Sequence, residues 1–226
     1  MQVELNAHEA RVLGVLIEKA MTTPDQFPLT MNATINGCNQ KSNRDPVVDF
    51  VEAEVHIAYQ GLMMKQLVGS SFPAGSRGEK WHHNARASLK LNDVELAIIA
   101  ELLMRGPQAT GVLRTRVTRM ARCEDLTALM TNLNALIERG LVKWLPPAPG
   151  SRAERYGQML APGLHPDGES APVARPMSYQ PQAASLPSAP PPAASGLGLR
   201  ISKLEEELAN LKRQLSSLAD QLGADL

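Results

Sequence analysis

Residues 5–16, Leu-Asn-Ala-His-Glu-Ala-Arg-Val-Leu-Gly-Val-Leu, return 86 positions later as residues 91–102, Leu-Asn-Asp-Val-Glu-Leu-Ala-Ile-Ile-Ala-Glu-Leu. In each copy an Asn stands three residues before a Glu, the spacing of a capping box, and Val12, Leu13, Leu16 and Ile17 match Ile98, Ile99, Leu102 and Leu103 as an apolar stripe at helical period. A second correspondence relates Gly75-Ser-Arg-Gly-Glu-Lys-Trp81 to Gly150-Ser-Arg-Ala-Glu-Arg-Tyr156 at an offset of 75. The shorter offset places two longer loops in the first copy, Thr22 to Pro28 and Asn39 to Pro46. An internal repeat of this kind restricts the fold to two versions of one small unit.

Each unit reads as three helices followed by two strands around a Gly/Pro turn. The helices are expected near 7–20, 30–38 and 51–66, and again near 93–105, 110–120 and 124–139. The hairpin tips fall at Pro73 to Gly78 and Pro146 to Arg152. Three helices and a hairpin make a winged helix. The expected fold is mainly α with small β-hairpin wings: two tandem winged-helix domains, residues 1–90 and 91–160, plus a C-terminal coiled-coil helix.

Residues 161–196 hold nine of the seventeen prolines, mixed with Ala, Ser and Gln, and read as a flexible linker with polyproline II character. Residues 197–226 read as an oligomerisation helix. Leu197, Ile201, Leu204, Leu208, Leu211, Leu215, Leu218 and Leu222 recur at alternating steps of four and three, a coiled-coil heptad. With Ile201, Leu208, Leu215 and Leu222 at a, Arg200 faces Glu205 and Glu207 faces Lys212 across a parallel seam. A parallel homo-oligomer is expected, with the number of strands open.

The run Leu29-Thr-Met-Asn-Ala-Thr-Ile-Asn-Gly-Cys-Asn-Gln-Lys-Ser-Asn-Arg-Asp-Pro-Val47 resembles the signature of the YceH family, a bacterial group of tandem winged-helix proteins. The Cys38 to Pro46 segment is its most specific part, and Glu79-Lys-Trp-His82 and Leu113 to Met120 also look like family features. The resemblance spans residues 5–160 and implies the fold; it implies no activity. In the family pattern a small polar residue such as Ser precedes the third helix. Val51 stands there in this chain, which implies a weaker cap.

Catalytic chemistry finds no support. Gly69, Gly75 and Gly78 are spaced for a wing and precede no Lys-Ser/Thr, as a phosphate loop requires. His82 and His83 neighbour each other on a strand and face opposite ways, so no metal is expected there. Cys38 and Cys123 lie 85 residues apart without a CxxC partner, which fits a reducing, cytoplasmic setting. Cys38 reads as a buried residue at a helix end. The N-terminus lacks the regions of a signal peptide, and no run of eighteen apolar residues offers a membrane span. The expectation is a non-enzymatic protein with no cofactor.

Global charge gives nucleic acid no vote, because 23 basic side chains balance 23 acidic ones. Local charge is more informative. Arg114, Arg116, Arg119 and Arg122 put four guanidinium groups in nine residues without an acid among them. Residues 116 and 119 share a face, and 122 follows if the helix continues. Lys41, Ser42, Asn43 and Arg44 form a set able to contact phosphate and base, and Arg77 and Arg152 stand at the wing tips. Against this, the third helices open with Glu52 and Glu54 and with Glu124 and Asp125, which repel phosphate. Two functions therefore stay open: a DNA-binding transcriptional regulator using these ten residues, or a scaffold that holds a protein partner on its winged-helix surfaces.

Overall fold

The computed structural model describes residues 3–72, 78–147 and 150–165. The linker beyond residue 165, the heptad positions Leu197 to Leu222 and the wing-tip Arg77 lie outside the described residues.

The fold mixes helices with small antiparallel sheets. In the first half α1 (Ala7–Thr22), α2 (Met31–Cys38) and α3 (Glu52–Met64) precede the hairpin β1 (Val68–Ser71) and β2 (Lys80–His83). A short α4 (Ala85–Ser88) leads to the second half. There α5 (Asp93–Arg105), the two-residue β3 (Gln108–Ala109), α6 (Thr110–Val117) and α7 (Leu126–Glu138) precede β4 (Val142–Leu145) and β5 (Arg155–Gln158). Helix, helix, helix, hairpin thus occurs twice, as the repeat requires. No helix among the described residues is long and apolar enough to cross a membrane.

The repeated Asn and Glu do the same work in both halves. Asn6 Oδ1 accepts from the Glu9 N–H and Glu9 Oε2 from the Asn6 N–H, both at 2.9 Å. Asn92 and Glu95 reproduce both bonds at 2.9 Å. Two otherwise orphaned donors of the first turn are satisfied each time, which fixes where α1 and α5 begin. At α3 only half of this forms: Glu54 Oε2 accepts from the Val51 N–H at 2.9 Å, and valine has no acceptor to return. The substitution of an apolar residue for a polar cap is visible as a missing bond.

The aligned aromatics are also equivalent. Trp81 and Tyr156 are both buried on the second strand of their hairpins. Each opposes a residue just ahead of its second helix: Leu29 bridges Trp81 through two backbone bonds of 3.0 and 2.8 Å, and Gln108 pairs with Tyr156 in the order β3-β5-β4. Trp81 stacks on Tyr59 with centroids 3.9 Å apart and planes 7° from parallel, tying the hairpin to α3. The Tyr59 hydroxyl meets Thr34 Oγ1 of α2 at 2.5 Å. Tyr156 reaches Met130 Sδ of α7 at 3.9 Å.

The two halves share one hydrophobic core, because α1 and α5 pack against each other along their length. Gly14 makes the approach possible. A Cβ there would lie 2.8 Å from Met104 Cγ, closer than packed carbons tolerate, with the Ala100 carbonyl oxygen in contact at 3.5 Å. Further bonds join the halves at the rim, from the Leu5 N–H to the Leu160 carbonyl at 2.6 Å and from Arg139 to the carbonyls of Leu89 and Lys90.

One expected boundary moves. Helix α6 stops at Val117 rather than near 120. Thr118 donates its hydroxyl to the Thr115 carbonyl at 2.9 Å, and Arg119 and Met120 N–H turn back by three residues to Arg116 and Val117. Side-chain competition and tightened bonds end the helix. Arg119 and Arg122 therefore leave the helical face on which Arg116 stands.

His83 predicts an acid sensitivity. Burial, then Arg86 and then His82 lower its pKa from the ordinary 6.5 to about 4, and its Nδ1 is buried without a partner. Between these values the unfolded chain takes up the proton that the folded one refuses, so this contribution is complete above about pH 6.5 and is lost as pH falls towards 4. It amounts to roughly 3 kcal/mol. Urea denaturation of His83→Gln is expected to fall less steeply over pH 6.5 to 4 than that of the native chain.

Candidate nucleic-acid interface

The signature loop has an interior job before it has a surface one. Arg44 is 6% exposed and cannot meet a phosphate, which corrects its expected place among nucleic-acid contacts. Its Nη2 and Nη1 clasp the Glu18 carboxylate of α1 at 2.5 and 3.3 Å, Nε donates to the Gly37 carbonyl at 3.0 Å, and Nη1 also reaches the Asn43 carbonyl at 2.8 Å. Arg11, 1% exposed, donates to the carbonyls of Cys38 at 3.2 Å and Pro46 at 2.5 Å. Carbonyls of the last turn of α2, left unpaired by the helix, thus find guanidinium donors. The Asp45 N–H then bonds the Met104 carbonyl of α5 at 2.8 Å, so the same loop reaches across to the second half.

Cys38 lies inside this cage. Burial pushes its thiol up to about 12, outweighing the opposing pull of Arg11 and Arg44, and a neutral thiol is neither a nucleophile nor a ready metal ligand. Among the described residues, no three His, Cys, Asp or Glu side chains gather as a metal site. His82 and His83 oppose Gly69 and Val68 on β1, in successive register positions of the strand.

The other expected contacts divide by what already holds them. Lys41, Ser42 and Asn43 project from the loop as exposed residues. Arg114 is half-buried and donates to the Glu124 carbonyl at 3.2 Å, pinning α6 to the entry of α7. Arg116 donates to Oε1 of the buried Gln108 at 2.7 Å. Arg119 and Arg152 are exposed and form no ion pair among the described residues. Arg122 is 89% exposed and meets Glu124 at 3.1 Å in a pair that water weakens. The segment that looked uniform in sequence therefore holds two structural and two solvent-facing arginines.

The third helices differ in a way that a count of charges does not show. On α7 the exposed face carries Thr127, Thr131 and Asn134, at steps of four and three, behind which Leu129, Leu133 and Leu136 are buried. Its acid, Glu138, stands at the far end. On α3 the corresponding exposed face carries Glu52, His56, Ile57, Gln60 and Met64, with Ile57 63% and Met64 82% exposed. Hydroxyl and amide side chains can hydrogen-bond both base edges and phosphates, whereas carboxylates repel the phosphate backbone and apolar groups make no hydrogen bond to it. The period-3.6 spacing of Thr127, Thr131 and Asn134 was the signal available in the sequence.

Paired helical units with small antiparallel hairpins, joined through one core and a clasped loop, are consistent with the winged-helix class. The family model described as "Protein of unknown function, DUF480" matches residues 5–151, and the chain belongs to that family, the YceH group whose signature it resembles. It is similar over nearly its whole length to proteins named "UPF0502 protein". The one from Hahella chejuensis is 42% identical, covering 96% of this chain and 98% of the relative. The one from Geotalea daltonii is 44% identical, covering 95% and 89%, and that from Shewanella woodyi 39%, covering 96% and 100%.

The two roles within the signature loop separate experimentally. Arg44→Met strips Glu18, withdrawn from water, of its guanidinium clasp and leaves only the longer 3.9 Å contact with Lys19; it is expected to cost about 3 kcal/mol of unfolding free energy. Lys41→Ala, three residues away and exposed, is expected to stay within about 0.5 kcal/mol. Equilibrium denaturation in urea measures both.

Proposed function

We propose that the chain is a non-enzymatic DNA-binding protein, a transcriptional regulator built on tandem winged helices, in which the second unit supplies the DNA-facing surface. The observation that carries this is the exposed polar face of α7, Thr127, Thr131 and Asn134, with the exposed Arg119 and Arg122 in the segment before the helix, on the far side of Glu124 and Asp125. Threonine and asparagine suit a groove, and Arg119, Arg122 and Arg152 suit the flanking backbone. Arg114 and Arg116 then act by holding α6 in place. Lys41, Ser42 and Asn43 supply a further patch on the first unit. Parallel association through Leu197 to Leu222 and the proline-rich tether would let two or more such heads engage separated sites, raising avidity.

A scaffold reading has an observation of its own. The α3 face is acidic at its start and apolar beyond, with Val51, Ile57 and Met64 exposed, and it suits a protein surface better than a phosphate backbone. In this reading the first unit docks a protein and neither unit binds DNA.

Selection of bound fragments from genomic DNA, followed by affinity measurement over a range of salt, tests the proposal. Affinity should fall steeply with salt. Replacing Arg119, Arg122 and Arg152 together by Ala should reduce the slope of log K against log salt by about two to three, near 0.9 for each phosphate no longer neutralised. Ile57→Lys should leave DNA affinity intact. Absence of salt-dependent binding at micromolar protein, with a nuclease-resistant protein complex that Ile57→Lys disrupts, would replace this reading by the scaffold.

A further inference from the structure

A cavity of about 340 Å³ opens where the signature loop meets the second half, and Arg105, Arg155 and His165 line it together with Asp45. Pro46, Pro107 and Leu164 give it an apolar wall. The polar groups are not used up by the fold. Arg105 has a side chain only 7% exposed; it engages Glu101 through Nη1, yet its Nε is buried without a partner. Arg155 donates its Nε–H to the Pro146 carbonyl at 3.2 Å and forms no ion pair among the described residues. His165 sets Nε2 3.0 Å from the Asp45 carbonyl oxygen, and its Nδ1 is buried with no partner. Since a carbonyl only accepts, Nε2 carries the hydrogen in this contact.

The cavity wall is shaped around the imidazole. Gly106 has φ +69°, and a Cβ there would lie 2.6 Å from His165 Cδ2, so a side chain at this turn would collide with the ring. The electrostatic surroundings favour an anion. Arg116, Arg44 and Arg119 lie near enough to act on the Arg105 charge, and the nearby acids Glu18 and Glu101 are already held by Arg44 and Arg105. With the Arg44–Glu18 and Arg105–Glu101 pairs neutral, Arg155 in the lining and Arg116 and Arg119 behind it stand against Asp45, the one carboxylate lining the cavity, so the surroundings keep a net positive charge.

We propose that this cavity binds a small monocarboxylate with a short apolar body, its carboxylate on Arg155 and Arg105 and its hydrocarbon against Pro46, Pro107 and Leu164. A planar, bidentate anion matches the guanidinium fork, and the proline and leucine wall favours a carbon chain over a fully hydrated oxyanion. The site stands independently of the DNA reading. Arg105 is nevertheless linked to the α6 arginines, since Gln108 donates to the Glu101 carbonyl at 3.3 Å while accepting from Arg116. A ligand here would act on the same network that positions Arg116.

Sodium butyrate and sodium phosphate, titrated into the full chain at matched ionic strength, test the assignment through the His165 Cε1–H resonance, identified by its loss in His165→Gln. Butyrate should produce a saturable shift, and Arg155→Gln should weaken the apparent affinity by about tenfold or more, the effect of losing a charge-assisted pair. Leu164→Glu, on a surface turn, should abolish the shift by placing a second carboxylate in the wall. No saturable response to butyrate, an equal response in the native chain and both variants, or a response to phosphate alone would overturn the proposal.

Discussion

Two guanidinium groups withdrawn from water organise this protein. Arg44 and Arg11 converge on the end of α2, and through Glu18, Gly37, Cys38 and Pro46 they hold the loop that follows it against α1. Burying such charges is costly unless they are paired, and here carboxylate and carbonyl oxygens meet every guanidinium nitrogen except Nε of Arg11. The loop so fixed presents the Asp45 N–H to the end of α5 and the Asp45 carbonyl to His165. Placement of the second half, and of the cavity between the halves, follows from that clasp and from the Gly14 crossing of α1 on α5.

The clasp gives the most distinctive stretch of the sequence a different role from the one its composition suggests. A run rich in Asn, Gln, Lys, Ser and Arg looks like a nucleic-acid contact because those side chains hydrogen-bond well. The same property lets them satisfy backbone carbonyls where a helix ends inside a fold. Arg44 does the second, while Lys41, Ser42 and Asn43 remain in water. Specificity of sequence here reflects the number of bonds a single buried side chain must make.

What was legible in the sequence was whatever depends on local spacing. Asn6 with Glu9, and Asn92 with Glu95, announced two helix starts, and Trp81 and Tyr156 marked equivalent strands, because caps and hairpins are set by residues a few positions apart. The fate of the arginines was not legible, since burial of Arg44 depends on Glu18, 26 residues away, and commitment of Arg116 depends on Gln108 in a neighbouring strand. The end of α6 at Val117 was hidden for a related reason: threonine hydroxyls at 115 and 118 compete for carbonyls that periodicity alone assigns to the helix. The contrast between the α3 and α7 faces was present as pattern but masked by the acids at both helix starts.

If the clasp is the organising constraint, it must persist in solution at the stability of the core it joins. Asp45 is an exposed residue in a loop, and its amide is shielded only through the 2.8 Å bond to the Met104 carbonyl. Native-state hydrogen exchange read at that one amide is therefore the direct measurement. Protection within about tenfold of the Leu13 and Leu102 amides is the predicted result, as expected when opening requires global unfolding. Exchange as fast as at Lys41 and Ser42 would mean that the loop opens on its own, and would contradict the account.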